Sequence, residues 1–145
     1  MRVYLDNCCY NRPYDDQSQL RISLESQAKM AVQTAIRQGK IELATSYMGY
    51  YETSQNTYEM RRRHILDFQD SYAEVHVSER MDEKVNEMAI EIEQTGIKHK
   101  DACHVACAIL SKCDYFLTTD DRLLKYRSDE IQLMNPIEFI NVLEG

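Results

Sequence analysis

Four acidic residues lie at positions from which a folded α/β protein could bring their carboxylates together. Asp6 and Asp120 each follow a short apolar segment that is typical of a buried strand. Glu52 and Asp101 lie near the starts of predicted helices. Because ligands gather at the carboxyl ends of strands in open α/β sheets, these four acids are candidate ligands of one site.

Carboxylates that approach one another this closely need a cation between them. Two carboxylates about 4 Å apart repel by roughly 4 kcal/mol at an effective dielectric of about 20. The repulsion raises their pKa values and destabilises the fold unless a cation is bound. A compact set of oxygen ligands favours Mg²⁺ or Mn²⁺, and such an ion activates water and stabilises the charge that develops on a phosphate group. The pattern predicts phosphodiester hydrolysis without a protein nucleophile.

Simpler roles are open for two of these acids. The chain contains 24 Asp and Glu residues, and most of them are expected on the solvated surface. Asp101 could only stabilise a helix N-terminus, and Asp120 could only cap the next helix. Asp6 is harder to explain in this way, because it directly follows an apolar strand.

The predicted elements that would position these acids alternate between strands and helices. An alternating pattern of this kind predicts a parallel sheet with helices on both faces, in one domain spanning residues 1–145. Segment 7–17 is expected to be a loop, Ser78 to cap a helix, and Gly39 and Gly96 to end helices. The predicted strands are 2–5, 41–45, 74–77, 115–118 and 131–134, and the predicted helices are 19–38, 46–55, one opening at 61–63, 78–94, 100–112, 120–126 and one from Pro136 onward.

Composition indicates a folded, acidic protein. Apolar residues make up 43% of the chain and charged residues 28%, which argues against disorder. The longest apolar stretch, 105–110, is too short to span a membrane, and the first residues reach an acid too soon for a signal peptide. Five cysteines without an evident disulfide framework favour reduced thiols and a cytoplasmic location. The net charge of −7 argues against a simple nucleic-acid clamp.

A second grouping could bind a different metal. Cys103 and Cys107 lie four residues apart on a predicted helix, with His99 and His104 nearby. Zinc is conceivable there, but neither a CxxC nor an HExxH motif is present. The alternative is that the two cysteines are small apolar residues of the core.

The order and spacing of these acids resemble the PIN-domain family of metal-dependent nucleases, in particular its VapC-like toxin ribonuclease branch. The resemblance covers nearly the whole chain, and its pieces are Val3–Asn7, Ser46 with Glu52 six residues later, Lys100–Ala108 and Cys113–Arg122. It implies a three-layer α/β/α sandwich with a central parallel sheet. It also implies that Asp6, Glu52, Asp101 and Asp120 are catalytic and bind Mg²⁺ or Mn²⁺.

The same resemblance assigns roles to residues around the acids. Members of the family often carry a further acid two positions beyond the one that matches Asp120, but here Arg122 occupies that place and Asp121 is adjacent. Asp121 is therefore included among the candidate metal ligands. The polar side chains expected to support the ligands are Asn7, Ser46, Thr118 and Thr119.

Candidate RNA-binding residues lie outside the acidic set. Arg12 could meet a phosphate, and Tyr10 or Tyr14 could stack on a base; alternatively, the tyrosines pack under the first helix and Arg12 pairs with an acid. The basic run Arg61, Arg62 and Arg63 suits RNA phosphates or an acidic partner, or is a solvated helix face. The partners implied by the resemblance are RNA, an antitoxin protein and a second copy of the chain, with no membrane.

The leading hypothesis is therefore a metal-dependent endoribonuclease, with a toxin–antitoxin role implied by the resemblance. The alternative is a PIN-like RNA- or protein-binding module without catalysis. A Rossmann-type or phosphatase-like enzyme is disfavoured, because no glycine occurs between Leu5 and Gly39. On the leading hypothesis part of the negative charge is offset by bound metal, so RNA binding and cleavage should both depend on the ion.

Overall fold

A five-stranded parallel sheet forms the centre of the protein, in a computed structural model that describes residues 1–145. The strand order is β3-β2-β1-β4-β5, and all four neighbouring pairs are parallel. Each strand agrees with its predicted position within one residue. The strands are β1 (Arg2–Leu5), β2 (Glu42–Ser46), β3 (Ala73–Val77), β4 (Tyr115–Leu117) and β5 (Gln132–Met134).

Seven helices connect the strands. They are α1 (Asn7–Asn11), α2 (Leu20–Arg37), α3 (Tyr47–Ser54), α4 (Glu59–Tyr72), α5 (Asp82–Glu93), α6 (His99–Leu110) and α7 (Pro136–Glu144). Gly39 and Gly96 both adopt a positive φ, as expected for residues that end helices. None of the helices combines the length and apolar character that crossing a membrane requires.

Successive residues of each strand point to opposite faces of the sheet and enter two separate cores. Val3 and Leu5 of β1 pack in a core with buried residues of α1, α2, α4 and α7. Tyr4, between them, packs on the other face with buried residues of α5 and α6. The expected three-layer α/β/α sandwich with a central parallel sheet is therefore confirmed.

The segment 7–17 differs from the predicted loop. Asn7–Asn11 is helix α1, and Arg12–Tyr14 is a 3₁₀ turn. The Asp6 carboxylate accepts a hydrogen bond from the backbone N–H of Asn7, and Cys9 and Tyr10 of this helix are buried. One and a half turns are too short for a periodic sequence pattern to be visible, so the capping acid was its only local signal.

Two other helix predictions need correction. Ser78 precedes a 3₁₀ turn at Glu79–Met81 without a side-chain capping bond, and α5 begins only at Asp82. The predicted helix 120–126 is reduced to a 3₁₀ turn at Leu123–Lys125. Acidic and serine residues favour both a helix start and a turn, and at both of these places the chain forms a turn.

Candidate functional site

The carboxyl ends of the central strands bring several predicted residues together. Asp6 follows β1, Ser46 ends β2 and Thr118 follows β4. These strands are neighbours in the sheet, with Leu5 opposite Leu117 in the β1–β4 register. The position of Asp6 is the one predicted for an acid that follows an apolar strand.

Asp6 is held rigidly at this edge. Its Oδ1 accepts a hydrogen bond from the Asn7 backbone at 2.8 Å, and its Oδ2 accepts one from Thr118 Oγ1 at 2.8 Å. Its own backbone N–H donates to the Leu117 carbonyl at 2.9 Å. The side chain is only 7% exposed. Asp6 therefore caps α1 as well, a role that the sequence had disfavoured.

Thr118 connects Asp6 to Asp120. Its hydroxyl donates to Asp6 and accepts a hydrogen bond from the Asp120 backbone N–H at 3.1 Å. Asp120 Oδ1 in turn accepts a hydrogen bond from the backbone of Arg122 at 2.9 Å, so this acid does cap the following turn. Thr119 makes no such link, and its backbone N–H donates to Cys8 Sγ at 3.3 Å.

Asp101 lies in the first turn of α6, and the other three acids affect its pKa. Its pKa is raised from the usual range, first because burial disfavours the charged form and then because the negative charges of Asp6, Asp120 and Glu52 repel it. His104 opposes this shift with a smaller effect. Three acids from separate parts of the chain thus lie near enough to Asp101 to raise its pKa.

Glu52 is bound to two basic side chains. Its Oε1 accepts a hydrogen bond from His104 Nε2 at 2.5 Å and lies 3.4 Å from Lys100 Nζ. Burial raises the pKa of Glu52, but the hydrogen bond and charge of His104, together with Lys100, lower it overall. Oε2 accepts no hydrogen bond from the protein, so this oxygen is free to contact a ligand.

A buried hydrogen-bond chain stands behind Glu52. Tyr4 OH lies 2.6 Å from His104 Nδ1 and 2.6 Å from Ser46 Oγ, which accepts a hydrogen bond from Gly49 N–H at 3.1 Å. Because a carboxylate only accepts, His104 Nε2 donates to Glu52. Burial raises the pKa of Tyr4 well above its usual value, so the phenol stays protonated and can donate to Nδ1.

Sequence reasoning gave no role at the site to Tyr4 or His104. The available signal was weak: a tyrosine within an apolar strand and a histidine on an apolar helix, each of which is more often a core residue. Both are almost fully buried, and only the fold places them next to Glu52.

The donor set fits a hard divalent cation, but this conformation does not preassemble its coordination. No group of three or more His, Cys, Asp or Glu side chains is arranged to hold a metal ion. The Oδ1 atom of Asn7, adjacent to Asp6, is buried and has no hydrogen-bond partner. Free carboxylate and amide oxygens are the ligands that Mg²⁺ and Mn²⁺ prefer, so Asp6, Glu52, Asp101 and Asp120 could hold such an ion after side-chain rotation.

Asp121 is bound elsewhere. Its carboxylate forms two hydrogen bonds with Arg21, at 2.7 and 2.9 Å, and these lower its pKa. It is not among the acids that shift the pKa of Asp101. Asp121 is thus held in an exposed ion pair with Arg21.

The alternative zinc grouping is not assembled either. Cys103 and Cys107 are buried in the core that covers the α5–α6 face of the sheet. Cys103 Sγ lies 3.5 Å from His99 Nε2, but both ring nitrogens of His104 are occupied by Tyr4 and Glu52. Both cysteines have the core positions that the apolar interpretation gave them.

A cleft of about 750 Å³ opens beside the acids. Asp101, Asp120 and Asp121 line it together with basic side chains, which are Arg12, Arg21, Lys98 and Arg122. Mixed charge of this kind suits a phosphate backbone whose contacts are shared between cations and a bound metal. Sequence reasoning found only Arg12 of these four basic residues.

Arg12 is already paired with acids, as one of the alternatives proposed. Its Nε donates to Glu25 at 2.9 Å and its Nη1 to Asp15 at 3.1 Å. Tyr10 is buried against Phe68, whereas Tyr14 is exposed. The alternative interpretation is therefore confirmed for Arg12, which pairs with acids, and for Tyr10, which is buried. It is wrong for Tyr14.

The basic run on α4 lies outside the cleft lining. Arg61 stacks on Tyr14 and Tyr58, with its guanidinium carbon 4.8 and 4.5 Å from the ring centres. Arg62 donates to a backbone carbonyl, and Arg63 pairs with a glutamate of the same helix. None of these three residues lines the cleft beside the acids.

Comparisons with known proteins agree with this fold. No protein-family model and no curated protein sequence matches the chain. Among solved structures, VapBC2 from Rickettsia felis bound to a promoter DNA fragment matches with a TM-score of 0.56 and 18% identity, covering 93% of this chain and 98% of the other. FitAB bound to IR36 DNA matches with a TM-score of 0.60 and 16% identity, covering 93% and 95%. The present chain shares its fold with both, which is the fold of a PIN-like domain.

Proposed function

We propose that the protein is a divalent-metal-dependent endoribonuclease that hydrolyses RNA phosphodiester bonds. The observation that carries this proposal is the placement of Asp6 and Asp120, which Thr118 links, near Asp101, whose pKa both of them and Glu52 raise. The PIN-like fold supports it, because the family resemblance of the sequence implies metal-binding acids at these four positions. A bound Mg²⁺ or Mn²⁺ would supply water activation and neutralisation of phosphate charge.

The residues of the chain hold this site in distinct ways. Thr118 and the α1 N-terminus fix both oxygens of Asp6, and His104 fixes one oxygen of Glu52. The pKa of Asp101 is raised, so a nearby cation would favour its ionised form. The basic residues that line the cleft, among them Lys98 and Arg122, would bind phosphates of the RNA.

The proposal also includes partners. RNA is the substrate, a cognate antitoxin is the regulator, and the active form is a homodimer. The two similar structures are toxin–antitoxin complexes, which supports a toxin role with an antitoxin partner.

RNA cleavage by variants of matched charge tests the enzymatic claim. A labelled single-stranded RNA is incubated with the wild-type protein and with Asp101→Asn, in Mn²⁺ and in EDTA. We expect cleavage only by the wild type with metal, and a loss of at least about a hundredfold in Asp101→Asn. Asp129→Asn, at an exposed position without hydrogen bonds, is the control and should cleave normally. Cleavage that persists in Asp101→Asn or in EDTA would overturn the assignment.

A non-catalytic PIN-like binding module is the second candidate. The pairing of Glu52 with His104 and Lys100 favours it, because these cations already satisfy one of the four acids. The absence of a preassembled metal arrangement points the same way. RNA or protein binding that is unaffected by Mn²⁺, with no cleavage under any condition, would support this module over the nuclease.

A further inference from the structure

A separate cavity of about 360 Å³ lies between α2 and α4, on the face of the sheet opposite α5 and α6. It shares no lining residue with the acidic cleft. Its walls combine cations with aromatic rings. The residues used in the argument below are Lys29 and Arg37 from α2 and Phe68 and Tyr72 from α4, with Gln33 and Tyr10 beside them.

Lys29 is a buried cation without an acidic partner. It is 6% exposed, and no carboxylate lies within ion-pair distance of its ammonium group. Its hydrogen-bond acceptor is Gln33 Oε1, one turn along the same helix. An ammonium group has three N–H donors, so this single acceptor leaves the others unmatched. Burying such a charge is unfavourable unless an anion or further acceptors complete its contacts.

The aromatic walls attract the cation but do not satisfy its hydrogen bonds. Lys29 Nζ lies 5.8 Å from the ring centre of Tyr10 and 5.9 Å from that of Phe68. Cation–π contacts at these distances are attractive but accept no conventional hydrogen bond. The environment therefore holds the lysine in place and leaves donors available to a ligand.

A second cation faces the same ring. The guanidinium carbon of Arg37 lies 5.5 Å from the centre of Phe68 and 6.0 Å from that of Tyr72. Burial lowers the pKa of Lys29 to about 8; Cys9 opposes this shift, and the charge of Arg37 adds to it. Asp67 also lines the cavity, but it is exposed and forms an ion pair with neither cation. Two cationic side chains, Lys29 and Arg37, thus line the cavity against one carboxylate, Asp67.

We propose that this cavity binds the phosphoryl group of a nucleoside monophosphate, with Lys29 and Arg37 as its cationic partners and Tyr72 beside the base. Two separated cations match a phosphate better than a single carboxylate, because several of its oxygens can accept hydrogen bonds at once. A volume near the lower end of ligand pockets suits one nucleotide and excludes a structured nucleic acid. The proposal is independent of the nuclease function, since the two sites share no residue.

Calorimetric titration and thermal unfolding test the cavity directly. AMP, inorganic phosphate and adenosine are each titrated into the intact wild-type chain without divalent metal. We expect AMP to bind and to raise Tm, phosphate to bind more weakly, and adenosine to bind least. Lys29→Met keeps the length of the side chain and its apolar packing, and should weaken AMP binding at least about tenfold. Arg37→Gln, at an exposed position, tests the second cation without disturbing the core and should also weaken binding.

Lys40→Met is the matched control, because Lys40 is exposed and makes no ion pair; it should bind AMP like the wild type. Several results would overturn the proposal: no AMP binding at millimolar concentration, unchanged affinity in Lys29→Met and Arg37→Gln, or adenosine binding as well as AMP does. Binding of an acidic peptide in place of AMP would instead assign the cavity to a protein partner. NMR spectra recorded as AMP is added are a further check. Chemical-shift changes that are confined to the acidic cleft, and absent from α2 and α4, would also contradict the proposal.

Discussion

At the scale of single residues, the carboxylates depend on neighbours that keep them in place. Asp6 has both oxygens occupied by donors of the chain, whereas Glu52 has one oxygen bound by His104 and one that is free. Groups that hydrogen-bond to a metal ligand influence the affinity for the metal substantially. Tyr4 and His104 are therefore positioning residues for Glu52.

Tyr4→Phe removes one oxygen from the buried chain and keeps the ring. His104 Nδ1 and Ser46 Oγ would each lose a buried partner, so the free energy of unfolding should fall by about 1–3 kcal/mol. RNA cleavage should fall in kcat more than in KM, because Glu52 loses its fixed orientation while the cleft is unchanged. Urea unfolding and steady-state kinetics measure the two effects. Tyr115→Phe, whose hydroxyl forms no hydrogen bond in the structure, is the control and should leave both unchanged.

The His104–Glu52 pair also predicts a pH dependence. Burial lowers the pKa of His104, but Glu52 raises it overall, so its stabilising effect is complete below the unfolded pKa of about 6.5 and is lost as pH rises through the folded value. The pKa of Glu52 is lowered overall, so its contribution is present above its unfolded pKa and is lost as pH falls through the folded value.

The pair should therefore stabilise the protein most between the lowered pKa of Glu52 and the raised pKa of His104. Urea unfolding at a series of pH values measures this window. His104→Gln should flatten the decline on the alkaline side, because it removes the group that titrates there. An unchanged decline in this variant would show that another group causes it.

At the scale of elements, a buried glutamate joins the segments around the cleft. Glu25 of α2 is fully buried and accepts hydrogen bonds from Arg12, Arg21 and Asn135. Arg21 also donates hydrogen bonds to the Thr119 carbonyl and to the carboxylate of Asp121, next to Asp120. One side chain thus connects α2 with the turn after α1, the loop after β4 and the start of α7.

Glu25→Gln keeps the shape of this side chain and removes its charge. Two arginines would then lose a buried anionic partner, so the free energy of unfolding should fall by about 3 kcal/mol or more. Cleavage should fall as well, because Arg21, which attaches the loop beside Asp120 to α2, loses the carboxylate that orients its guanidinium. Glu91→Gln on the exposed side of α5 is the matched control. Equal stability of the two variants would show that Glu25 does not hold these segments together.

Local sequence patterns predicted most elements and the region of the site. The strands are apolar and β-branched or aromatic, and the acids follow them, so both the sheet and the edge where Asp6, Asp101 and Asp120 lie could be predicted. Helix α1 could not, because it is too short for a period and is specified by burial of Cys9 and Tyr10. Long-range pairs such as Glu25 with Asn135 or Tyr4 with His104 leave no local signal at all.

At the scale of the whole molecule, a net charge of −7 must be reconciled with binding to RNA. Four of the acids meet at the carboxyl end of the sheet, where a divalent cation would offset their charge. Without such an ion this edge repels phosphate, and the basic residues of the cleft act alone. RNA affinity is therefore expected to depend on the metal.

Fluorescence anisotropy of a labelled RNA measures this dependence. To prevent turnover, the RNA carries a non-hydrolysable linkage at each position. We expect at least about tenfold tighter binding in Mn²⁺ than in EDTA at constant ionic strength, because the ion removes repulsion at the cleft. Equal affinities in the two conditions would mean that the acids do not face the RNA.

The most direct test of the account is a calorimetric titration of the protein with Mn²⁺. The wild type and Asp129→Asn should bind the ion with equal affinity, whereas Asp101→Asn should lose at least about tenfold, because Asp101 is the acid whose pKa the other three raise. Binding should also increase as pH rises, since the carboxylates must be ionised to hold a cation. Absence of Mn²⁺ binding by the folded wild type, or unchanged affinity in Asp101→Asn, would contradict the claim that these four acids form a metal site.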